Sequence, residues 1–393
     1  MSAELFARGT WPHFAEDEIA AATRVLRSGK INYWTGDEGR AFEHEYAEAT
    51  QRRHGVALAN GTLALELALL AFGVGEGDEV ITSSRTYVAS ASCAVMRGAV
   101  PVVADVDADS QCVTAETLRV ALTPRTRAIV VVHLAGWPCP MEEIMALAAE
   151  HDLVVIEDCA QAHGATWQGR PVGSFGHAGT FSFCQDKIIT TGGEGGILVL
   201  DDEDAWKKAW AYKDIGRSHD AVYHRKHPLG FRWLTESFGS NWRLTELQAA
   251  IGRIQLAKLP GWIEARQRNA AILARGFADI PMLRVPMPTA GVGHAFYKFY
   301  AFVRPESLAA GWSRDRIMAE LNERGVPCTV GSCSEIYLEK AFTDRGWGPS
   351  QRLPVARALG ETSLMFMVHP TLPRDAVDAT VHAMREVARH AVQ

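Results

Sequence analysis

One lysine of this chain has the surroundings of an amine nucleophile. Lys187 lies in the segment FSFCQDKIITTGGEGG (residues 181–196), in which a strand-like run of alternating aromatic residues leads into a glycine-rich turn. Partial burial beside apolar or cationic groups favours the unprotonated lysine amine, which can attack an aldehyde and form an imine. Glycines let the backbone approach a bound ligand. Taken alone, however, such a segment is more often an exposed loop lysine before a turn.

A carboxylate upstream is a suitable partner for this lysine. Asp158 follows the apolar run of LVVIEDCAQAHGA (residues 153–165), and the carboxyl ends of strands are where α/β sheets bind ligands. Pyridoxal phosphate chemistry needs a lysine for the imine and an acid that keeps the pyridine nitrogen protonated. A single Asp at a strand end is commonly a cap or turn residue, but Asp158 together with Lys187 indicates a pyridoxal phosphate site.

The segment GVALANGTLALELALLAFGVGEGDEV (residues 55–80) offers a site for the cofactor phosphate. A short apolar strand meets Asn60, Gly61 and Thr62, and a long leucine- and alanine-rich helix follows. Free N–H groups and the positive end of the helix dipole bind anions at such a helix start. Without the other two motifs, an ordinary helix capped by Asn60 or Thr62 would be the simpler interpretation.

These motifs resemble those of the sugar aminotransferases of the DegT/DnrJ/EryC1/StrS family, which are fold type I pyridoxal phosphate enzymes. The resemblance extends from about residue 10 to the C-terminus, and its motifs occur in the family's order. They are NGTLAL (60–65), GDEVITSSRTYVAS (77–90), GAVPVVADVD (98–107), TPRTRAIVVVHLAG (123–136), VIEDCAQAHGA (155–165), FSFCQDKIITTGGEGG (181–196) and NWRLTELQAAIGRIQL (241–256).

The resemblance implies roles for individual residues. Lys187 corresponds to the lysine that forms the imine with the cofactor, and Asp158 to the acid paired with the pyridine nitrogen. Tyr87 corresponds to an aromatic residue that stacks on the cofactor ring, as any flat aromatic face can, although it could equally be a core aromatic. Gln161 corresponds to a glutamine near the phenolic oxygen of the ring. The phosphate contacts implied in the same way are Gly61, Thr62 and Ser182.

The resemblance at Asn241 has a consequence for how subunits assemble. The family's equivalent reaches the cofactor phosphate from the neighbouring subunit, so the resemblance implies a homodimer with a shared active site. From the residues alone, Asn241 is more readily a turn residue that caps a helix beginning near Thr245. That helix is predicted in either case by the spacing of Leu247, Ala250, Ile251 and Ile254.

Composition limits the possible partners. The 393 residues can bury a large core in more than one domain, with 47% apolar and 22% charged residues. A formal net charge of −6 provides no basic field, so we expect no nucleic-acid partner. We expect no signal peptide, and no apolar run reaches the roughly 18 residues that a membrane span needs. Seven dispersed cysteines indicate buried free thiols, so the sequence predicts a cytoplasmic protein without a membrane partner.

Apolar periodicity predicts an α/β fold, and the resemblance implies that it belongs to the fold type I class. Six runs between residues 55 and 200 (VALA, EVIT, VPVVA, AIVVVHL, LVVIE and ILVL) alternate with helical segments, which indicates a mainly parallel sheet covered on both faces. Residues 14–30 predict a helix with Ile19, Ala22 and Leu26 on one face. We predict a large cofactor-binding domain (1–255) and a smaller C-terminal α+β domain (256–393).

The segment between these domains, residues 216–243, is locally basic in an acidic protein. Arg225 and Lys226 predict a contact with a substrate diphosphate, and an exposed loop or dimer arm is an equally good interpretation. The segment also contains three histidines (His219, His224 and His227), but no cysteine or carboxylate spacing completes a recognised metal site. We therefore predict no metal.

Together these features predict a pyridoxal phosphate-dependent aminotransferase. The resemblance implies glutamate as amino donor and a keto group of a nucleotide-linked deoxy sugar as acceptor. Lys187 would hold the cofactor and then move a proton between substrate and cofactor carbons. A cyclitol ketone remains open as the acceptor, because no identifiable residue separates it from a sugar ketone. A dehydratase, in which histidine replaces the lysine, and a noncatalytic member of the fold both conflict with the intact Lys187.

Overall fold

The computed structural model describes residues 2–392 of the chain. Its helices are α1 (Ser2–Ala7), α2 (Glu16–Ser28), α3 (Glu38–Ala49), α4 (Gly61–Ala71), α5 (Ala89–Met96), α6 (Ala115–Ala121), α7 (Met141–Glu150), α8 (Glu203–Lys213), α9 (His219–Tyr223), α10 (Glu246–Phe277), α11 (Arg314–Glu323), α12 (Lys340–Thr343), α13 (Pro354–Thr362) and α14 (Arg374–Ala391). Its strands are β1 (His54–Leu58), β2 (Glu79–Ser83), β3 (Val100–Ala104), β4 (Thr126–Val132), β5 (Val154–Asp158), β6 (Thr166–Trp167), β7 (Arg170–Pro171), β8 (Ala178–Ser182), β9 (Gly196–Leu200), β10 (Leu283–Arg284), β11 (Val292–Gly293), β12 (Phe299–Val303), β13 (Cys328–Thr329) and β14 (Ser363–Phe366).

A seven-stranded sheet in the order β1-β9-β8-β5-β4-β2-β3 forms the centre of the molecule. All its neighbouring pairs are parallel except the two that β9 makes, with β1 and with β8. Val130 and Ile156 pack in the cluster formed with α4 and α5, whereas Ile129 and Val155 pack on the opposite face with α7. Coverage of both faces accounts for the uninterrupted apolar runs, and the predicted α/β fold is confirmed.

The predicted helix at residues 14–30 exists as α2, but its buried face was predicted incorrectly. Ile19 and Leu26 are 47% and 60% exposed, whereas Ala21 and Val25 are buried. The helix turns this second stripe towards Ala250 of α10. The apolar spacing of α2 allowed two stripes, and only contact with α10 decides between them.

The C-terminal region has its own core. The antiparallel sheet β10-β12-β14-β13 packs with α11, α14 and the end of α10. The 32-residue helix α10 runs through residue 255, and Leu5 and Phe6 of α1 pack against this C-terminal core. Within residues 2–392, no helix combines the length and the apolar character needed to cross a bilayer.

Candidate active site

A cavity of about 930 Å³ opens where the carboxyl ends of the parallel strands meet the start of α4. Strand ends deliver side chains to one edge of such a sheet, and ligands bind there. Asp158 ends β5 and Ser182 ends β8. The structure brings seven residues singled out in the sequence to this cavity, namely Gly61, Thr62, Tyr87, Asp158, Gln161, Ser182 and Lys187.

The start of α4 forms a narrow cradle beside β8. Asn60 is the N-cap, and its Oδ1 accepts a hydrogen bond from the Leu63 backbone N–H at 3.0 Å. The first N–H groups of the helix lie at the cavity wall, where they and the helix dipole can hold an anion. A Cβ at Gly61 would lie 2.6 Å from the Ser182 Cβ, so this approach requires glycine. The two segments fit the phosphate of the predicted cofactor.

The Asp158 carboxylate is buried and held by two donors. Its Oδ2 accepts from the Ser90 Oγ at 2.7 Å, and its Oδ1 accepts from the Ala160 N–H at 3.1 Å. The Ser90 hydroxyl is in turn 2.8 Å from that of Thr86. These contacts leave one orientation for the carboxylate at the cavity wall, as pairing with a pyridine N–H requires.

Lys187 is half-buried on the loop that follows β8. Its backbone carbonyl accepts from the Trp11 Nε1 at 2.8 Å, and its backbone N–H donates to the Cys184 carbonyl at 3.1 Å. Its Nζ lies 5.2 Å from the centroid of the Tyr297 ring. The loop is therefore held from both sides, and the side chain extends into the cavity that Asp158 also lines.

Sequence reasoning missed a second lysine in the cavity. Lys298 lines the same wall, with its Nζ 4.7 Å from the Tyr297 ring centroid and 3.9 Å from the Asp186 Oδ2. The Tyr297 hydroxyl donates to the same Asp186 oxygen. Burial lowers the pKa of Lys298 to about 8. A lysine within the aromatic run HAFYKFYAFV is the signal that could have revealed it.

His163, to which the sequence assigned no role, lies behind the cavity. It is fully buried; its Nε2 donates to the Ser182 carbonyl at 2.9 Å, while its Nδ1 accepts from the Tyr46 hydroxyl at 2.6 Å. Burial lowers its pKa to about 3, so the ring is neutral at ordinary pH. His163 therefore supports the strand end that carries Ser182.

Three predicted site residues lie outside the cavity of the single chain. Asn241 is exposed and forms a backbone bridge with Asp214. The residue that caps α10 is Thr245, so the simpler interpretation of Asn241 as this helix's cap is wrong. Arg225 is exposed and pairs with Glu236 at 2.6 Å. Its neighbour in the sequence, Lys226, is also exposed.

One cluster within residues 2–392 has the composition of a metal site, namely His133, Glu157 and Cys159. Hydrogen bonds already use both ring nitrogens of His133, since Nδ1 accepts from the Cys139 N–H and Nε2 donates to Glu157. Glu157 also accepts three backbone N–H groups, from residues 173, 175 and 176. The cluster is accounted for as a hydrogen-bond network that holds the loop before β8.

A buried acid, a lysine and a helix start that can hold an anion line one cavity, an arrangement that fits a fold type I pyridoxal phosphate enzyme. Residues 12–385 match the DegT/DnrJ/EryC1/StrS aminotransferase family, and the chain belongs to this family. Enzymes of the family depend on pyridoxal phosphate, and this protein is a pyridoxal phosphate-dependent aminotransferase.

Individual relatives agree with this assignment. The structure of an aminotransferase from Psychrobacter cryohalolentis is 53% identical, with a TM-score of 0.95 over 96% of this chain and 98% of that one. A provisionally named sugar aminotransferase from Streptococcus pneumoniae, solved in its pyridoxamine phosphate form, is 27% identical, with a TM-score of 0.87 over 97% and 98% of the two chains. A protein from Streptoalloteichus tenebrarius, provisionally named L-glutamine:3-amino-2,3-dideoxy-scyllo-inosose aminotransferase, is 34% identical over 96% of this chain and 94% of its own.

Proposed function

We propose that this aminotransferase moves an amino group from L-glutamate to a keto group of a nucleotide-linked deoxy sugar. The observation that carries the proposal is the convergence of Lys187, Asp158 and the start of α4 on one cavity of about 930 Å³. Ligand pockets of drug-sized molecules span roughly 300 to 1,000 Å³. A cavity at the upper end of this range suits a site that must hold a cofactor and a sugar together.

Different residues of the chain have different roles in the transfer of the amino group. Bound pyridoxal phosphate supplies a protonated ring that withdraws electrons from the carbon next to the amine. Asp158, oriented by Ser90, stabilises the positive charge on the ring nitrogen. Lys187 would hold the cofactor, and its Nζ, once released, would accept the proton from the donor carbon and deliver it on the cofactor side. Tyr87 would stack on the ring, since it lines the cavity and its exposed side chain leaves a face open for this contact.

The choice of a sugar as acceptor is supported by the relative from Streptococcus pneumoniae, which is provisionally named a sugar aminotransferase. A cyclitol ketone is the second candidate. It is favoured by the 34% identical relative, whose provisional name includes an inosose acceptor and L-glutamine as donor. The two acceptors differ in charge, because only the nucleotide sugar carries a diphosphate, and Arg225 and Lys226 are the residues we propose to contact it.

The proposed enzyme is a homodimer in which each active site uses both chains. Asn241 lies outside the cavity of its own chain, as expected for a residue that serves a partner's site. The loop before it exposes large apolar side chains, with Leu229, Trp233 and Phe238 exposed by 106%, 81% and 99%. Exposed apolar patches of this kind are typical of protein–protein contacts.

The acceptor can be tested on the aminated enzyme. After L-glutamate has converted the cofactor to its pyridoxamine form, a panel of nucleotide-linked keto sugars and cyclitol ketones is added without further donor. A true acceptor restores the visible absorbance of lysine-bound cofactor and yields one amino product by mass spectrometry. Restoration by cyclitol ketones alone would contradict the nucleotide-sugar proposal and establish the second candidate.

A further inference from the structure

Lys298 is a largely buried lysine that makes one long ion pair among residues 2–392, with Asp186. Its side chain is 12% exposed, and it lines the active-site cavity. The Asp186 carboxylate is 3.9 Å from its Nζ, beyond the distance of a good hydrogen bond, and the Met367 Sδ is 3.5 Å away. Burial of an ammonium group costs free energy unless the charge is paired. The position therefore favours an anion that comes from outside the chain.

Further positive charge surrounds this position. Lys187 and Lys298 place their amines 5.2 and 4.7 Å from the centroid of the same ring, that of Tyr297. Arg266 is fully buried on the protein side and donates to the Tyr297 carbonyl at 3.2 Å. The Nε and Nη2 of Arg266 have no hydrogen-bond partner among residues 2–392. Three cations thus lie around Tyr297, and the carboxylate that accepts from its hydroxyl, Asp186, has a side chain that is 56% exposed.

The position of the Lys298 amine suits the α-carboxylate of an amino acid better than it suits a diphosphate. The α-carboxylate of a donor is bonded to the carbon that carries the amine, so a cation that recognises it must lie within a few ångströms of Lys187. A diphosphate is separated from the keto carbon by the atoms of the sugar ring, and it would lie farther away. From this geometry we propose that the Lys298 Nζ binds the α-carboxylate of the amino donor, with Arg266 adding positive charge behind it.

This inference rests on the proposed function and deepens it, since it assigns the donor's recognition to a residue. Lys298 is a binding residue that orients the donor so that its α-hydrogen faces Lys187. A charge-assisted hydrogen bond of this kind is worth enough to change affinity by about 10- to 100-fold. Its removal should therefore weaken donor binding more than it slows the proton transfer.

Three amino donors distinguish recognition of the α-carboxylate of glutamate from recognition of its side-chain carboxylate. L-Glutamate carries both, L-glutamine carries only the α-carboxylate, and L-isoglutamine carries only the side-chain carboxylate. Each is mixed with the holoenzyme in single-turnover experiments that follow the loss of visible absorbance, giving a half-saturating concentration and a limiting rate. The variants are Lys298→Met, Lys298→Arg, and Lys207→Met as a control, since Lys207 is an exposed lysine of α8 that pairs with Glu203 and does not line the cavity.

The proposal predicts that Lys298→Met raises the half-saturating concentration of glutamate and of glutamine by about 10- to 100-fold. Isoglutamine, a poor donor from the start, should not change, and Lys298→Arg should recover part of the loss. Equal impairment of all three donors, or no impairment of glutamine, would overturn the assignment. If the wild-type enzyme reacts with none of them, the proposed donor class fails. Calorimetric titration with glutarate then tests the carboxylate site alone: about tenfold weaker binding to Lys298→Met supports the site, and unchanged binding refutes it.

Discussion

Gly61 and Ser182 approach so closely that a Cβ on the glycine would lie 2.6 Å from the Ser182 Cβ. This approach joins the start of α4 to the end of β8 and forms the cradle that we assign to the cofactor phosphate. Gly61→Ala should therefore push the two segments apart and weaken pyridoxal phosphate binding by about tenfold or more. Titration of the apoenzyme with cofactor, followed by absorbance, measures this change.

Gly261→Ala is the matched control for that substitution. Gly261 lies inside α10, and a Cβ there would meet no atom within 4 Å. Alanine in a helix interior adds about 1 kcal/mol of stability and should leave cofactor affinity as it is. Equal cofactor affinity in the Gly61→Ala variant and the wild type would show that the phosphate binds elsewhere.

The Ser90 hydroxyl should affect the rate of the glutamate half-reaction indirectly, through its hydrogen bond to Asp158. Loss of its 2.7 Å hydrogen bond in Ser90→Ala frees the carboxylate to rotate and should lower the rate of the glutamate half-reaction by about tenfold. Asp158→Asn removes the charge that the ring nitrogen needs and should lower the rate by about 100-fold or more. Stopped-flow absorbance measures both rates, and a Ser90→Ala rate below that of Asp158→Asn would be inconsistent with an indirect role for the serine.

Subunit mixing tests the shared active site. Lys187→Ala and Asn241→Ala chains, each weakly active alone, are unfolded or dissociated, mixed in equal amounts and reassembled. If each site uses Lys187 of one chain and Asn241 of its partner, half of the dimers regain one intact site and activity rises to about a quarter of the wild-type value. Activity no higher than the mean of the two variants would place both residues in sites made by one chain.

Donor binding should depend on pH through Lys298. Its pKa is lowered to about 8 by burial, so the amine is charged below pH 8 and becomes neutral above it. The half-saturating concentration of glutamine should therefore be constant below about pH 8 and rise above it. The titratable and charged groups near Lys298 are Asp186, Lys187, Arg266, Tyr297 and His369. Burial raises the pKa of Tyr297 well above its usual range and lowers that of His369 to about 3, so neither titrates near pH 8. Burial lowers the pKa of Arg266 to about 9, so its loss of charge would follow that of Lys298.

Lys298→Arg separates this titration from those of neighbouring groups. A guanidinium group stays charged to higher pH than a lysine amine, so the rise above pH 8 should be reduced in this variant. A wild-type profile that is flat to pH 9, or one that the arginine variant reproduces unchanged, would show that another group controls donor binding.

Replacement of Arg225 and Lys226 with alanine tests whether these residues bind the diphosphate of a nucleotide-linked acceptor. If these residues contact a diphosphate, the double variant should raise the Michaelis constant for a nucleotide-linked keto sugar by about tenfold. Arg225 already pairs with Glu236 at 2.6 Å, and Glu236→Ala should have the opposite effect because it releases the guanidinium. An unchanged Michaelis constant in the double variant would remove the diphosphate contact from the account.

Most of the residues that the sequence assigned to the cofactor line one cavity, because they lie in recognisable local motifs. Lys187, Asp158 and Gly61 each lie in a short segment whose strand, turn or helix start can be recognised from periodicity and glycine positions. Parallel strands then bring the three segments together at one edge of the sheet. The predicted convergence on one cavity follows from topology alone, without any knowledge of side-chain packing.

The features that the sequence did not predict depend on contacts between distant segments. The buried stripe of α2 is decided by α10, and apolar spacing permitted the wrong stripe with Ile19 and Leu26. Lys298 was missed because its relation to Lys187 arises where the C-terminal sheet meets the loop after β8. Nothing in the 110 positions between the two residues indicates that both amines lie beside the ring of Tyr297.

The central claim is that Lys187 holds pyridoxal phosphate and that a donor amine displaces it. The visible spectrum of the purified enzyme with pyridoxal phosphate, recorded before and after L-glutamate is added, tests this directly beside the Lys187→Ala variant. We predict an absorption band of lysine-bound cofactor in the wild type alone, and its conversion to the pyridoxamine band on addition of glutamate. A Lys187→Ala variant with the same band and the same conversion would contradict the account.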